Sequence, residues 1–301
     1  MSTPALTIIG SVNLDLVASA EKLPVAGETV TGATFAQHPG GKGANQALAA
    51  RRLGAEVSMI ARTGEGPNRD AALALLRQDG VDLSGVVACP DEQTGVALIA
   101  VDKAGENQIV VASGANATLS PEDVNIEGHP DAILCQLEVP TACVMAALRA
   151  GSGLFAVNLA PAGPVPIELL EAADLLIVNE GEAAFYGEGL HRGGGMVALT
   201  LGAEGAVLYR AGKEVARAAA FAVPVIDTTG AGDTFCAALV LALVLFAWTG
   251  GSTLAIHETG WDEFQSFLFY LYAPMGVMIS TVIIHPTDRA IRTTLWALFV
   301  S

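Results

Sequence analysis

The sequence contains few basic residues for its length. Of its 301 residues, 15 are Lys or Arg and 31 are Asp or Glu, so the formal net charge is −16 and the pI is about 4.5. No cluster of Lys and Arg interrupts this acidic background, and nucleic-acid phosphates repel an acidic surface. These numbers exclude a general nucleic-acid-binding protein.

Cysteine is also scarce, and its spacing shows no pattern. The four cysteines form no CxxC pair, and the five histidines make no metal-ligand pattern with them. The first apolar stretch, residues 6–17, has no basic residue before it and is interrupted by Asn13 and Asp15, unlike a signal peptide. We therefore expect a cytoplasmic protein with reduced thiols at Cys89, Cys135, Cys143 and Cys236.

Charged residues of both signs are few, and the apolar excess is concentrated at one end. Charged residues make up 15% of the chain and hydrophobic residues 52%, with a mean hydropathy of +0.49, which excludes intrinsic disorder. Residues 241–301 hold 10 of the 17 aromatic residues, all three Trp, and only 2 basic and 4 acidic residues. The remaining chain is rich in Ala, Gly and Val. The two parts therefore differ in composition.

In the first 240 residues, apolar strand-like segments alternate with helix-like segments. This alternation predicts an α/β fold with a mostly parallel central sheet and helices on both faces. Residues 17–35 and 94–112 break the alternation, because both resemble antiparallel strands with Gly and Pro turns. We expect one α/β domain over residues 1–242, with a small β lid from about residues 14–36 and 94–112.

The strongest local motif is Asp227-Thr-Thr-Gly-Ala-Gly-Asp233, which is followed by an apolar helix-like run. Glycines at the start of a helix let backbone N–H groups converge on an anion, and the helix dipole adds positive potential. Asp233 alone could be a favourable charge in a first helical turn. That explanation leaves the flanking glycines and Asp227 unexplained, so the motif favours an anion-binding site.

A second glycine-rich segment is Gly40-Gly-Lys-Gly-Ala-Asn-Gln46, which also opens a helix-like run. It lacks the spacing of a Walker A loop, and no G-x-G-x-x-G follows a strand. It could be only a tight connection. Lys42 and Asn45 beside Asn13 and Asp15 instead suggest a polyol site, because carboxylates and carboxamides form paired hydrogen bonds with vicinal hydroxyls.

A third motif is Asn179-Glu-Gly-Glu182, directly after an apolar strand-like segment. Such a pair in a first helical turn could hold hydrated Mg²⁺, which takes few protein ligands and keeps several waters. A helix-capping arrangement explains the same spacing equally well. The motif alone leaves both interpretations open.

These motifs together resemble the ribokinase/phosphofructokinase-B family of carbohydrate kinases. The matching segments are Gly10-Ser-Val-Asn13-Leu-Asp15, Gly40-Gly-Lys-Gly-Ala-Asn-Gln-Ala47, Asn179-x-x-Glu182 and Asp227-Thr-Thr-Gly-Ala-Gly-Asp233. The ribokinase branch of the family is matched further by Pro24-x-x-Gly27-Glu-Thr-Val-Thr, Thr94-Gly-Val-Ala-Leu-Ile, Gly105-Glu-Asn, Gly114-Ala-Asn116 and Gln136-Leu-Glu138. The resemblance covers about residues 5–240 and implies a three-layer α/β/α sandwich with a small β lid.

The resemblance also implies roles for individual residues. Asp233 would be the catalytic base. The backbone N–H groups of Gly230, Ala231, Gly232 and Asp233 would form the anion hole for the transferred phosphoryl group. The implied sugar-binding residues are Asn13, Asp15, Gly41, Lys42, Asn45 and Glu138. The implied nucleotide-binding residues are Asn179, Thr200, Gly202 and Gly205. Glu182 would hold Mg²⁺ through water, and the implied monovalent-cation (K⁺) ligands are Asp227 and Thr229.

The function that the resemblance implies is ATP-dependent phosphorylation of D-ribose to ribose 5-phosphate. Two alternatives stay open: a kinase for deoxyribose or a nucleoside, and a sugar-binding homologue with impaired catalysis. The expected partners are a small sugar and ATP, with no nucleic acid and no membrane, and a second copy of the chain bound through the β lid.

Residues 243–301 do not match the family pattern. Residues 264–284 carry no charge over a length that could span a membrane, but Pro274 interrupts them and few basic residues flank them. A second interpretation is a diverged ending that packs its aromatic residues into the core. The third, which the sequence favours, is a reading-frame change near residue 243, because domain boundaries rarely fall inside a helix. The adenine- and cation-binding segment of the family is missing from this tail.

Overall fold

A computed structural model of the chain describes residues 3–220 and 230–248. Within these residues, nine strands form one sheet in the order β13-β12-β11-β10-β9-β8-β1-β4-β5. The strands from β5 to β11 in this order run parallel, and β12 and β13 add an antiparallel edge. Their bounds are β1 Ala5–Ile9, β4 Glu56–Thr63, β5 Val86–Ala88, β8 Ala132–Gln136, β9 Leu154–Asn158, β10 Leu175–Asn179, β11 Met196–Thr200, β12 Ala206–Arg210 and β13 Lys213–Ala218.

Helices cover both faces of this sheet, and each face has its own apolar core. On one face the core includes α1 (Lys42–Arg52), α2 (Pro67–Ala72), α3 (Ala74–Asp79) and α7 (Ala231–Trp248). On the other face it includes α4 (Thr141–Ala150), α5 (Ile167–Ala172) and α6 (Glu180–Tyr186). Burial on both faces explains why the central strands are continuous apolar runs rather than alternating ones. The predicted α/β/α sandwich with a mostly parallel sheet is confirmed.

A second sheet of four strands stands beside the first in the order β3-β2-β6-β7. Its strands are β2 Asn13–Ser19, β3 Thr34–Gly40, β6 Gly95–Val101 and β7 Asn107–Ala112. The pair β2–β6 is parallel, whereas β2–β3 and β6–β7 are antiparallel. The strands come from the two stretches that break the helix–strand alternation in the sequence. We refer to these four strands as the second sheet.

Helix α7 continues without a break through residue 243, where the sequence analysis expected the family pattern to stop. Leu243, Val244 and Phe246 lie in the core, with 0%, 4% and 7% of their surface exposed. Among the described helices, α7 alone is long and apolar enough to cross a membrane, and most of it is buried inside the protein. Residues 249–301 lie outside the described residues, so the three interpretations of the tail stay predictions.

The start of α1 packs directly against the connection between β1 and β2. A Cβ atom on Gly43 would lie 2.6 Å from the Ser11 nitrogen and 2.7 Å from the Gly10 carbonyl carbon. Both neighbours are backbone atoms, so a side chain at this position cannot be accommodated by a rotamer change. Gly43 therefore allows α1 to approach β1 closely enough to bring its first turn into the β1–β2 connection.

We expect Gly43→Ala to destabilise the protein by about 1–3 kcal/mol, the usual range for a forced steric overlap in a packed core. Urea unfolding followed by circular dichroism measures this change. Gly194→Ala is the matched control, because a Cβ atom at Gly194 would meet no atom within 4 Å. Equal stability of the two variants would contradict the close-approach argument.

Candidate active site

Five parallel strands end at the same edge of the central sheet, and three helices begin there. Parallel strands bring the residues after their carboxyl ends together, which is where ligands bind in open α/β sheets. Most of the residues that the sequence analysis selected lie at or just after these ends. The strands are β1, β8, β9, β10 and β11, and the helices are α1, α6 and α7.

Asp233 lies in the first turn of α7, and only 9% of its surface is exposed. Asn45 Nδ2 donates to Asp233 Oδ2 at 2.9 Å, and Gln46 Nε2 donates to Asp233 Oδ1 at 3.0 Å. Burial raises the pKa of Asp233 to about 6, against the lowering effect of Lys42 and the two amide donors. The carboxylate is therefore ionised near neutral pH and still basic enough to accept a proton.

The first turn of α1 receives a cap from a distant carboxylate. Glu138 Oε2 accepts a hydrogen bond from Lys42 N at 3.1 Å and another from Ser11 Oγ at 2.5 Å. Gly41 has a φ of +91°, and a Cβ atom there would lie 2.7 Å from the Asn13 nitrogen. Glu138, Ser11 and the glycine turn thus fix the start of α1 against β2.

Asn13 and Asp15 lie at the start of strand β2, next to the same region. Asn116 Nδ2 donates to Asn13 Oδ1 at 2.7 Å, and Asn116 also bonds both backbone groups of Val12. Burial and, after it, the charge of Glu138 raise the pKa of Asp15 to about 6, against the lowering effect of His38. Asn13 therefore has a fixed amide, whereas Asp15 is a carboxylate in a crowded acidic environment.

Lys42 provides the positive charge of this region. Burial lowers its pKa, but Asp233, Glu138 and Glu182 outweigh that effect, so the net direction is upward. A cation kept protonated among three carboxylates compensates their charge. It also gives the site a positive group for an anionic ligand.

Asn179 and Glu182 form a capping box at the start of α6. Glu182 N donates to Asn179 Oδ1 at 2.9 Å, and Asn179 N donates to Glu182 Oε2 at 2.8 Å. Burial raises the pKa of Glu182, against the Asn179 hydrogen bond and Lys42. The capping interpretation of this motif is thus correct, and it engages only one of the two carboxylate oxygens.

The remaining nucleotide-site candidates lie at the ends of β10 and β11. Thr200 pairs with Asn179 across the two strands, and its Oγ1 donates to Val178 O at 3.4 Å. Gly202 and Gly205 lie in the turn after β11, where Leu201 N donates to Gly205 O at 2.8 Å. Asn179, Thr200 and this turn therefore form one continuous edge.

Gly230, Ala231 and Gly232 lead into α7. The first bond inside the helix runs from Thr234 N to Gly230 O at 2.9 Å, so the N–H groups of residues 231–233 have no acceptor within the helix. Gly232 is exposed, which leaves its N–H group accessible. Asp227 and Thr229, the cation ligands that the resemblance implies, lie outside the described residues.

The described residues contain no group of three or more His, Cys, Asp or Glu side chains that could hold a metal ion. Mg²⁺ binds through few protein ligands, and mostly through water and substrate phosphates. Glu182 fits this mode, because its buried carboxylate has one oxygen outside the capping box. Within residues 3–220 and 230–248, a Mg²⁺ ion at this edge would therefore bind through water to Glu182 rather than in a cage of side chains.

Several polar residues of the site were not assigned a role from the sequence. All five are buried, and they are Ser11, Gln46, Asn116, Gln136 and Asn158. The first three bond directly to assigned residues, whereas Gln136 and Asn158 bond to Gln46. Gln136 and Asn158 end apolar strands, which is the available sequence signal for a position at this edge. Gln46 lies within the second glycine motif, and nothing in the spacing indicates that it contacts Asp233.

Comparison with known proteins gives one consistent family. A family model described as pfkB family carbohydrate kinase matches residues 4–250. Ribokinase of Haemophilus influenzae is 37% identical over 265 residues, which cover 79% of this chain and 85% of that protein. The bifunctional ribokinase/ribose-5-phosphate isomerase A of Fructilactobacillus sanfranciscensis is 35% identical over 79% of this chain, and the match spans only 48% of that longer protein.

Solved structures agree with the sequence relatives. The structure of Arabidopsis thaliana ribokinase complexed with ribose and ATP has a TM-score of 0.75 and 27% identity, with 99% of each chain covered. The family model covers most of this chain. The chain therefore belongs to the pfkB family and is a carbohydrate kinase.

Proposed function

We propose that this kinase transfers the γ-phosphoryl group of ATP to the primary hydroxyl of D-ribose and releases ADP and ribose 5-phosphate. Asp233 is the general base: as the hydroxyl oxygen bonds to phosphorus, its proton passes to the Asp233 carboxylate and the bond to the ADP oxygen breaks. The observation that carries this proposal is a buried carboxylate of raised pKa in the first turn of α7.

The positions of the other residues support the proposal. Phosphoryl transfer needs positioning and stabilisation of the charge that spreads over the phosphoryl oxygens. The N–H groups at the start of α7, which have no acceptor within the helix, and the Lys42 ammonium supply fixed positive potential close to Asp233. Carboxylate and amide groups beside them match the vicinal hydroxyls of a furanose, and the proposed sugar-binding residues are Asn13, Asp15, Gly41, Lys42, Asn45 and Glu138.

For the nucleotide we propose the edge after β10 and β11. Asn179, Thr200, Gly202 and Gly205 lie on one continuous surface beside Glu182. Mg²⁺, when bound through water to Glu182, neutralises phosphate charge and so complements Lys42. Asp227 and Thr229 are the proposed K⁺ ligands on the resemblance alone. The Arabidopsis relative was solved with ribose and ATP, which supports both ligands for this chain.

We also propose that the second sheet is the lid of the sugar site and the surface of a homodimer. It includes Asn13 and Asp15, so its movement would change access to the sugar. Its strands expose large apolar side chains, including Phe35, Leu98, Ile109, Val110 and Val111. Of these, Leu98 and Val110 are directly paired between β6 and β7 and therefore share one face of the sheet. An exposed apolar face on an enzyme indicates a protein contact. The four free thiols agree with the cytoplasmic location predicted from the sequence.

Replacement of the base tests the chemistry. We expect Asp233→Asn to lower kcat by about 10²–10⁴-fold, because an amide cannot accept the hydroxyl proton. Ribose affinity, measured by calorimetry without nucleotide, should stay close to the wild-type value. Asp70→Asn, on the exposed surface of α2, is the control for a lost carboxylate and should retain full activity. Near-normal turnover of Asp233→Asn would contradict the assignment of Asp233 as the general base.

Substrate comparison tests the proposed acceptor. We expect a higher kcat/KM with D-ribose than with 2-deoxyribose, because the site offers paired carboxylate and amide partners for vicinal hydroxyls and 2-deoxyribose lacks the 2-hydroxyl. Adenosine, which keeps its 2′- and 3′-hydroxyls, is the third acceptor to compare. The measurement is ADP release with each acceptor at fixed ATP and Mg²⁺. Faster turnover of deoxyribose or adenosine would identify that compound, rather than ribose, as the substrate. Ribose binding without any binding of a non-hydrolysable ATP analogue would identify a catalytically impaired homologue.

Introducing a charged side chain on the second sheet tests the proposed homodimer interface. Val110 is 65% exposed at the centre of β7, so we expect Val110→Asp to convert a dimer into a monomer in sedimentation-velocity experiments. Val25→Asp introduces the same charge at a position 70% exposed but outside the four strands, and should leave the dimer intact. A monomeric wild-type protein, or a dimer in both variants, would contradict this interface.

A further inference from the structure

Behind Asp233 lies a chain of three buried amide side chains. Gln46 Nε2 donates to Asp233 Oδ1 at 3.0 Å and to Asn158 Oδ1 at 3.3 Å. Gln46 Oε1 accepts a hydrogen bond from Gln136 Nε2 at 2.5 Å. Gln46 and Gln136 are fully buried, and Asn158 is 8% exposed. The chain connects the start of α7 with α1 and with the ends of β8 and β9.

In this series of buried amides, the groups at the two ends determine which atom donates and which accepts in each hydrogen bond. Asn158 Nδ2 donates to the backbone oxygen of Ile177 at 3.2 Å, and a carbonyl can only accept. Asn158 therefore presents its oxygen to Gln46, and Gln46 must donate a hydrogen bond to it from its NH₂ group. The second hydrogen of that NH₂ group then points at the Asp233 carboxylate. Ile177 O thus sets the orientation of the Gln46 amide through Asn158.

The two oxygens of Asp233 consequently differ. Oδ1 is bonded to the fully buried Gln46, whereas Oδ2 is bonded to Asn45, which is half-buried and belongs to the proposed sugar-binding set. Only the Oδ2 side is open to exchange its partner for a substrate hydroxyl. The buried side fixes the rotation of the carboxylate about its Cβ–Cγ bond.

We propose that Gln46 is a positioning residue for the base: oriented by Asn158 and Gln136, it holds Asp233 Oδ1 so that Oδ2 is the oxygen that takes the proton of the substrate hydroxyl. This assignment rests on the proposed function of Asp233 as general base. The charged and titratable groups that also act on Asp233 or lie beside it are Lys42, Glu138, Asp15 and Cys236. Gln46 is neutral, so its replacement removes a donor without altering these charges.

Gln46→Met tests the proposal, because methionine is unbranched and similar in length to glutamine but donates no hydrogen bond. Loss of a donor to an ionised carboxylate raises its pKa, so we expect the acidic limb of the kcat/KM profile to move up by about one to two pH units from about pH 6. Misalignment of the base should lower kcat by about 10–100-fold. The Kd for ribose without nucleotide should stay unchanged.

The same pKa is measured without turnover by ¹³C NMR titration of Asp carboxyl groups, with the Asp233 signal assigned from its absence in Asp233→Asn. Asn158→Ala is the second variant, and we expect a smaller upward shift in the same direction. In the Gln46→Met background, Asn158→Ala should add nothing, because it acts only through Gln46. Gln78→Leu, an exposed glutamine on α3, is the control and should change no pKa or rate.

The outcomes separate this proposal from the proposed function. An upward shift in both single variants that is not additive in the double variant supports it. An Asp233 pKa unchanged in Gln46→Met, or fully additive shifts, overturns it, even if ribose is phosphorylated. Absence of ribose phosphorylation by the wild type overturns the proposed function, and the NMR titration then still decides whether Gln46 controls Asp233.

Discussion

The active site depends on the burial of one carboxylate. Asp233 is almost completely removed from water, which raises its pKa to about 6, and Lys42, Asn45 and Gln46 keep it from rising further. A fully exposed aspartate would be too weak a base, and an unpartnered buried one would be protonated at neutral pH. The arrangement of α1 against α7 is what supplies this balance.

Helix α1 supplies these partners because its first turn is held at a fixed place. Glu138 accepts from the Lys42 N–H group, Ser11 bridges Glu138 and Gly43, and the glycines let the backbones meet. Lys42, Asn45 and Gln46 follow within one turn, so all three depend on the same docking contact. A change that loosens the start of α1 would therefore also change the electrostatic environment, and hence the pKa, of Asp233.

Much of the fold follows from local patterns. Continuous apolar runs such as β8 and β10 predict buried parallel strands, and the break in alternation predicts the second sheet. The strands of that sheet nevertheless lie outside the expected bounds in part, since β2 begins at Asn13 and β3 ends at Gly40. Their bounds depend on pairing with each other, and pairing between distant segments is not encoded in either segment alone.

The sequence by itself determined the family motifs, the candidate base Asp233 and the glycines that open α1 and α7, because these are contiguous patterns with a local physical reason. Only the tertiary structure decided which groups meet. Asn45 and Asp233 are 188 residues apart, and Ser11 and Glu138 are 127 apart. Gln46, Gln136 and Asn158 join the base for the same reason: the parallel sheet brings the ends of separate strands to one edge, and buried amides there must find partners across elements.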